Sequence, residues 1–238
     1  MRTLLKLSLL LCTVAPVAVH ATPVVFNVVT DFSNASNPTG PWIYGSGTPG
    51  STFTPYTNLY TVPTLSAWSA PAGIPLVGYS STGLVSGTVS LPNDAVWMHP
   101  GDANDAASIV EFVVPFTGYY NVSGLFERLD TADGLGNGTG VSLLLNGVGP
   151  RQLLSNSQYL NSDPFSGKGT LNAGDILSFV VDRNGIGDPA DTGDYYFDST
   201  GLKVSISATP VPEPSSLMLF GTGILGLAGA ARRRLMKA

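Results

Sequence analysis

Between residues 108 and 207 apolar and polar side chains alternate in short runs, and a period of two is the signature of strands with one buried and one wet face. The alternation is cleanest over residues 118–129, where Tyr120, Val122, Gly124, Phe126 and Arg128 form one row and Tyr119, Asn121, Ser123, Leu125 and Glu127 the other. The β-branched and aromatic run 108–114 precedes it, ending at Pro115, and the short connection 116–118 predicts a hairpin between the two. Residues 141–145 form a further strand followed by Asn146-Gly147, a pair that tolerates positive φ at both positions and so predicts a type I′ hairpin turn. A tight turn at 171–175 leads into a strand at 176–182, and residues 201–207 alternate as a closing strand. No comparable stretch of the body has a helical period. Residues 31–91 are richer in Gly, Pro, Ser and Thr, which predicts strands with long loops or a covering for one sheet. Short strands with Gly, Pro, Asn and Asp between them predict an all-β fold, one jelly-roll-like β-sandwich over residues 22–209.

The two ends follow other rules. Residues 1–21 combine Arg2 and Lys6 with an apolar stretch at 7–19 and end in Val19-His20-Ala21, which predicts a secretory signal peptide cleaved after Ala21. Cys12 lies inside it behind Leu10 and Leu11, without the small residue that a lipidation site requires. At the other end, residues 217–231 carry no charge and give a helix about 22 Å long at 1.5 Å per residue. With Ser215 and Ser216 the stretch becomes 215–231, at the lower edge of the roughly 17 to 25 residues that span a bilayer core. Arg232, Arg233 and Arg234, with Lys237 behind them, are expected on the cytoplasmic side, which leaves everything before Pro214 outside. Pro212 and Pro214 hold Glu213 in an extended turn that a protease can reach.

The order Val211-Pro212-Glu213-Pro214-Ser215-Ser216, a helix with Gly221, Gly223, Gly226 and Gly229, and an arginine cluster resembles the PEP-CTERM sorting signal of Gram-negative bacteria. That resemblance implies recognition by an exosortase, a membrane protease that removes the helix near the Pro-Glu-Pro turn during export. It also implies an association with exopolysaccharide and biofilm matrix. An ordinary membrane anchor needs the helix and the arginines but has no use for the Pro-Glu-Pro entrance. Thr222, Gly226 and Ala230 form a small-residue face that admits a close neighbouring helix, either the processing enzyme or a second copy. More loosely, Asp31-Phe32-Ser33, residues 37–45, 97–101 and 118–124 resemble a jelly-roll module of exported bacterial proteins, which bears on fold more than on activity.

Charge is best counted by segment. Of eleven cations, Arg2, Lys6, the three tail arginines and Lys237 lie at the ends, leaving five in the body against fifteen carboxylates once Glu213 is set aside. A body near −10 excludes nucleic-acid binding, which depends on Lys and Arg neutralising phosphates. Hydrophobic residues at 43% against 11% charged ones argue for a folded core. Without Cys12 the exported region has no cysteine, and His99 is its one histidine, so disulfides, thiolate chemistry and a zinc centre are excluded.

Three kinds of chemistry remain. Trp42, Tyr44 and Trp68, with Tyr79 and Trp97, offer flat faces on which sugars stack, although Trp42 and Trp97 equally suit the seam between two sheets. Trp68, among Ser, Ala and Pro, is the one expected at the surface. Asp188, Asp191, Asp194 and Asp198, with Asp182 and Asn184, and separately Asp130, Asp133 and Asn137, supply oxygen donors of the kind calcium takes, without EF-hand spacing. They are also ordinary turn formers. Glu111 and Glu127, the two glutamates of the body, form a glycosidase-like pair if strands 108–114 and 118–129 are neighbours, and solvent-face charges otherwise. His99 has Asp94, Asp102 and Asp105 near it in sequence but no Gly-x-Ser-x-Gly elbow, so no triad is assigned. The expectation is an exported, non-enzymatic surface or matrix protein without a cofactor, calcium being the one candidate ion. Its expected partners are an exosortase, exopolysaccharide and, transiently, the inner membrane. A carbohydrate-binding module is the alternative, and a polysaccharide-active enzyme comes third.

Overall fold

The alternating runs form strands where the pattern places them, but the strands pair differently from the simplest expectation. A computed structural model describes residues 22–102, 107–132, 138–155, 158–183, 195–211 and 214–236. The first half of the chain carries β1 (Val24–Asn27), β2 (Trp42–Gly47), β3 (Thr54–Pro55), β4 (Asn58–Val62), β5 (Leu65–Ser69), β6 (Leu76–Ser80), β7 (Leu84–Ser86), β8 (Val89–Leu91), β9 (Val96–His99) and β10 (Ala107–Val113). Then come β11 (Gly118–Arg128), β12 (Thr139–Leu145), β13 (Arg151–Leu154), β14 (Ser162–Leu171), β15 (Ile176–Arg183), β16 (Thr200–Pro210) and the helix α1 (Pro214–Leu235).

Among the described residues two antiparallel sheets face each other, one in the order β14-β11-β16-β9-β6-β5-β4 with β1 added beside β16, the other β13-β12-β15-β10-β2-β3. The expected β-sandwich is therefore present, and the Gly- and Pro-rich region 31–91 supplies strands to both sheets. The small pair β7-β8 packs Leu84, Val89 and Leu91 over Leu65, Leu129 and Trp97 on the outside of the larger sheet. Between the sheets lie Trp42, Tyr44, Phe112, Tyr120, Phe126 and Phe179, all fully buried. Trp42 meets Phe112 edge-on, with ring centroids 4.9 Å apart.

The hairpin expected between 108–114 and 118–129 does not form. β10 pairs with β2 and β15, whereas β11 pairs with β14 and β16 in the opposite sheet. Residues 115–117 are an arch that carries the chain across the core, pinned by Tyr120, whose hydroxyl donates to the Phe116 carbonyl at 2.7 Å. Alternation and a short connection suit an arch as well as a hairpin, because each strand needs one buried face in either arrangement. The hairpin at Asn146-Gly147 does form. Those residues have φ of 50° and 81°, and Leu145 and Val148 exchange hydrogen bonds across them.

Helix α1 contains the expected segment 215–231, and the described side chains from Phe220 to Met236 are exposed. Pro214 opens the helix, where a missing N–H costs nothing, and the three arginines close it, where cations suit the helix dipole. Among the described residues no helix is long and apolar enough to cross a membrane. The side chains of 214–219, which complete the expected span, lie outside the described ones. The signal peptide expected over 1–21, with its cleavage at Ala21, also lies outside them.

Candidate functional site

The tail hangs on the best-supported strand of the fold. β16 runs beside β11 over its whole length, pairing Gly118 with Pro210 and Arg128 with Thr200, and holds β9 and β1 on its other side. The ladder ends where the Val211 N–H donates to the Thr117 carbonyl at 3.2 Å. Pro212 and Glu213 follow at once and lie outside the described residues, and α1 begins at Pro214. Only two residues separate the last sheet hydrogen bond from the first helical turn.

The aromatic residues proposed as a sugar platform do not form one. Trp42 and Tyr44 are fully buried, and Trp68 is 8% exposed. The Trp42 indole N–H donates to Asp31 Oδ2 at 3.1 Å, and that of Trp68 donates to the Ser33 carbonyl at 2.8 Å. Trp68, expected at the surface, sits on the inner face of β5, opposite Val77 and under the segment that carries Ser33. Its polar neighbours misled because successive strand residues face opposite sides. Phe32 and Tyr79, with centroids 5.8 Å apart, do reach an opening. They line an open cleft of about 470 Å³ together with Asn34, Thr64, Ser66 and Ser81, and among the described residues no acid, lysine, arginine or histidine lines it.

At the end of the sandwich away from the tail, charged groups go underground. Asp130 accepts from the Thr88 hydroxyl at 2.7 Å and the Ser199 N–H at 3.2 Å, and Asp198 accepts from the Thr139 hydroxyl at 3.0 Å. Both are about 1% exposed. Arg128 donates to the Ala132 carbonyl at 2.6 Å, and Arg183 to the Asp102 carbonyl at 3.3 Å. Arg151 grips the buried Asp182, with Nη2 at 2.6 Å and Nε at 3.0 Å from Oδ1. This layer was missed in the sequence, although Arg128 falls in the same alternating row as Tyr120, Val122 and Phe126. Asp188, Asp191 and Asp194 lie outside the described residues, as do Asp133, Asn137 and Asn184. Among the described residues no three His, Cys, Asp or Glu side chains gather as a metal site requires.

The glutamates are on different sheets. Glu127 pairs with Lys203 at 3.0 Å, and Lys203 reaches Asp94 at 2.9 Å, whereas Glu111 accepts from the Ser178 hydroxyl at 3.4 Å in the other sheet. They do not form the pair that strands 108–114 and 118–129 were expected to bring together. His99 is largely buried, its Nδ1 2.7 Å from the Pro100 carbonyl, and burial pushes its pKa down.

Two predictions follow from the ionic groups. Arg151→Ala strands the Asp182 carboxylate without its counter-ion. Because Arg151 itself is 38% exposed and water can enter, we expect the low end of the range for broken buried pairs, about 3 kcal/mol in urea unfolding. Gly140→Ala acts at the same place, since a Cβ there collides with both the Asp182 carboxylate and the Arg151 guanidinium. The second prediction concerns pH. Burial raises Asp182 above its ordinary 3.8 against the pull of Arg151, and raises Glu111 above 4.5 against its Ser178 hydrogen bond. Both acids bind protons more tightly folded than unfolded, so stability falls as pH climbs from those ordinary values through the raised ones. His99 acts in the opposite direction, because its lowered pKa costs stability as pH falls through its ordinary 6.5. The two acids are therefore isolated in His99→Gln, whose urea midpoint is expected to be higher at about pH 5 than at about pH 8. A midpoint that rises steadily with pH contradicts this.

With the geometry in place, the comparisons divide by segment. Residues 210–234 match the PEP-CTERM protein-sorting motif. The match begins at Pro210, the last residue of β16, and ends at Arg234. A search of the curated proteins found no match. Among solved structures, the chain is similar to a family 35 carbohydrate-binding module from Clostridium thermocellum, at 14% identity and a TM-score of 0.31, covering 78% of this chain and 98% of that one. It is also similar to CBM35 from Cellvibrio japonicus Abf62, at 14% identity and 0.27, covering 47% and 71%. Murine APRIL gives 14% identity and 0.24, covering 70% and 98%. Likenesses this distant carry no argument about activity. The sorting motif implies export with a membrane-anchored stage and processing by an exosortase.

Proposed function

We propose that this chain is a non-enzymatic protein of the cell surface or extracellular matrix, delivered as a folded β-sandwich and released by an exosortase that cuts its C-terminal tail. The observation that carries the reading is the sorting motif at 210–234, which starts where the last strand ends. A cut beyond Val211 removes the helix and arginines and leaves every sheet hydrogen bond of the described residues in place, so the cargo survives its own processing intact. Exopolysaccharide is the expected neighbour of the released domain.

The experiment is fractionation of producing cells expressing either the full chain or a chain ending at Val211. The full chain should reach the surface and matrix fraction, and the shortened one should not be retained there. Equal retention of both removes the tail from the explanation.

A second reading, neutral-glycan binding, is favoured by the cleft at Phe32 and Tyr79, which combines two aromatic walls with hydroxyl and amide groups. Calorimetry against neutral oligosaccharides, with and without calcium, tests it. Binding that Tyr79→Ala abolishes supports the reading, and absence of heat at millimolar sugar removes it.

A further inference from the structure

We infer that the open side of the sandwich, where the edge strand β14 faces β12, holds one acyl chain of an anionic lipid from the membrane that carries the tail. This rests on the proposed function, since only the membrane-anchored stage that the sorting motif implies brings that side to a bilayer.

The slot is made by two missing side chains. Directly opposed residues of neighbouring strands share a face. Gly167 and Gly169 of β14 stand opposite Val122 and Tyr120 of β11, both buried in the core, so their side-chain positions face the space between the sheets. Phe165 and Leu171 continue that row with large groups. Between them the row is empty, and a Cβ on either glycine would meet nothing within 4 Å. Neither glycine has a positive φ, so the backbone does not require them there. What they leave is a slot of about 390 Å³, within the range of about 300 to 1,000 Å³ for ordinary ligand pockets.

The lining selects an apolar occupant. Tyr120 and Val122 wall one side, Leu143, Leu145 and Leu177 the other, with Val148 at the rim. The Tyr120 hydroxyl is already bonded to the Phe116 carbonyl, so its ring offers only apolar surface. At the mouth Leu145 and Val148 are 41% and 78% exposed, apolar area left uncovered beside an apolar opening.

Position and charge name the source. Leu171 stands opposite Gly118, and Gly118 opposite Pro210, so two strand spacings, about 10 Å, separate the slot from the end of β16. Of the five cations of the body, Arg128 and Arg183 are buried, and Arg151 and Lys203 are paired with carboxylates. Lys168 is the remaining one, exposed and without a carboxylate partner among the described residues. It lies between the two glycines and leaves β14 on the outer face beside Asn121, where it meets a head group at the mouth rather than the chain inside. In an acidic body that lysine marks the place where an anionic head group is accepted.

Photoreactive phosphatidylglycerol tests this. Full-length protein is inserted into phosphatidylglycerol vesicles in which some acyl chains carry a diazirine, and crosslinked peptides are mapped by mass spectrometry after illumination. Crosslinks should fall on α1 and, separately, on Leu143, Leu145 and Val148. Valine at both Gly167 and Gly169 fills the slot and suits a strand, so that variant should melt at or above the wild-type temperature, lose the slot crosslinks and keep those on α1. Lys168→Gln, at an exposed position that leaves the core untouched, should lower the slot yield to that given by phosphatidylcholine with the same chain. Labelling of α1 without the slot, slot labelling that the valines leave unchanged, or equal slot yields from the two lipids overturns the inference and leaves the anchored tail standing. A dimer that the valines dissociate overturns it too, with a second copy as the occupant. No labelling at either place overturns both.

Discussion

Glu213→Ala, or alanine at both Pro212 and Pro214, should leave the exported protein carrying its helix and arginines, with loss of processing close to complete. The expected effect is this large because the turn is all that separates two rigid elements. On one side β16 is locked between β11 and its other neighbours up to Val211, and on the other α1 starts at Pro214. A protease must take an extended segment into its active site, and the two prolines keep the chain between them out of helix. With both replaced by alanine, α1 can extend backwards toward Val211 and the extended stretch disappears. Intact mass of the exported product reads the result. The same variants should melt at the wild-type temperature, because among the described residues the last ladder hydrogen bond is that of the Val211 N–H. An unprocessed product that also melts lower points instead to a folding defect.

Trp42→Ala should cost about 3 to 5 kcal/mol, the range for emptying a buried large aromatic site. A natural domain has about 5 to 15 kcal/mol in total, so the variant stands at the edge of unfolding. The indole packs on Phe112 and Phe179, with centroids at 4.9 and 6.3 Å, and it ties Asp31 to the core. Asp31 also accepts from the Asn27 N–H at 2.9 Å, so loss of the indole loosens the turn after β1 as well. Trp68→Ala should follow the same course through its bond to the Ser33 carbonyl. Urea unfolding of each variant checks this. Had these rings been a sugar platform, truncation would abolish binding and leave stability near wild type.

How much of this was legible depended on the range of the interaction. Local signals read well. Asn146-Gly147 is a turn because its two φ angles must be positive, and residues 201–207 lie in a strand because Leu202, Val204 and Ile206 alternate toward the core. The tail read well for the same reason, since its prolines, apolar run and arginines act on their own neighbours. Pairing partners read poorly. Nothing in 108–129 says whether Pro115-Phe116-Thr117 turns back within a sheet or crosses to the other, because the partners that settle it, β2 and β15 for β10 and β14 and β16 for β11, all lie outside that window. Burial of Trp68 depends on Ser33, thirty-five residues away, and no local window contains that contact. The buried layer of Arg128, Asp130, Asp182 and Arg183 was half visible, because Arg128 sits in an apolar row, but Asp130, Asp182 and Arg183 find Thr88, Arg151 and Asp102 from 31 to 81 residues away.

The cleft at Phe32 and Tyr79 had no sequence signal of its own. It exists where β4, β5 and β6 extend the larger sheet and Phe32 packs between Tyr44 and Tyr79. An opening of that kind is a property of two sheets meeting unequally, and no single strand encodes it.

The central claim is that a finished sandwich leaves the cell and is then cut from its helix. Intact mass spectrometry of the protein recovered from the outer surface or the medium tests it most directly. The account predicts a chain that begins at Thr22 and ends within the Val211 to Ser215 turn, without Arg232, Arg233 and Arg234. A recovered product that still carries those arginines, or a chain found only in the cytosol, contradicts it.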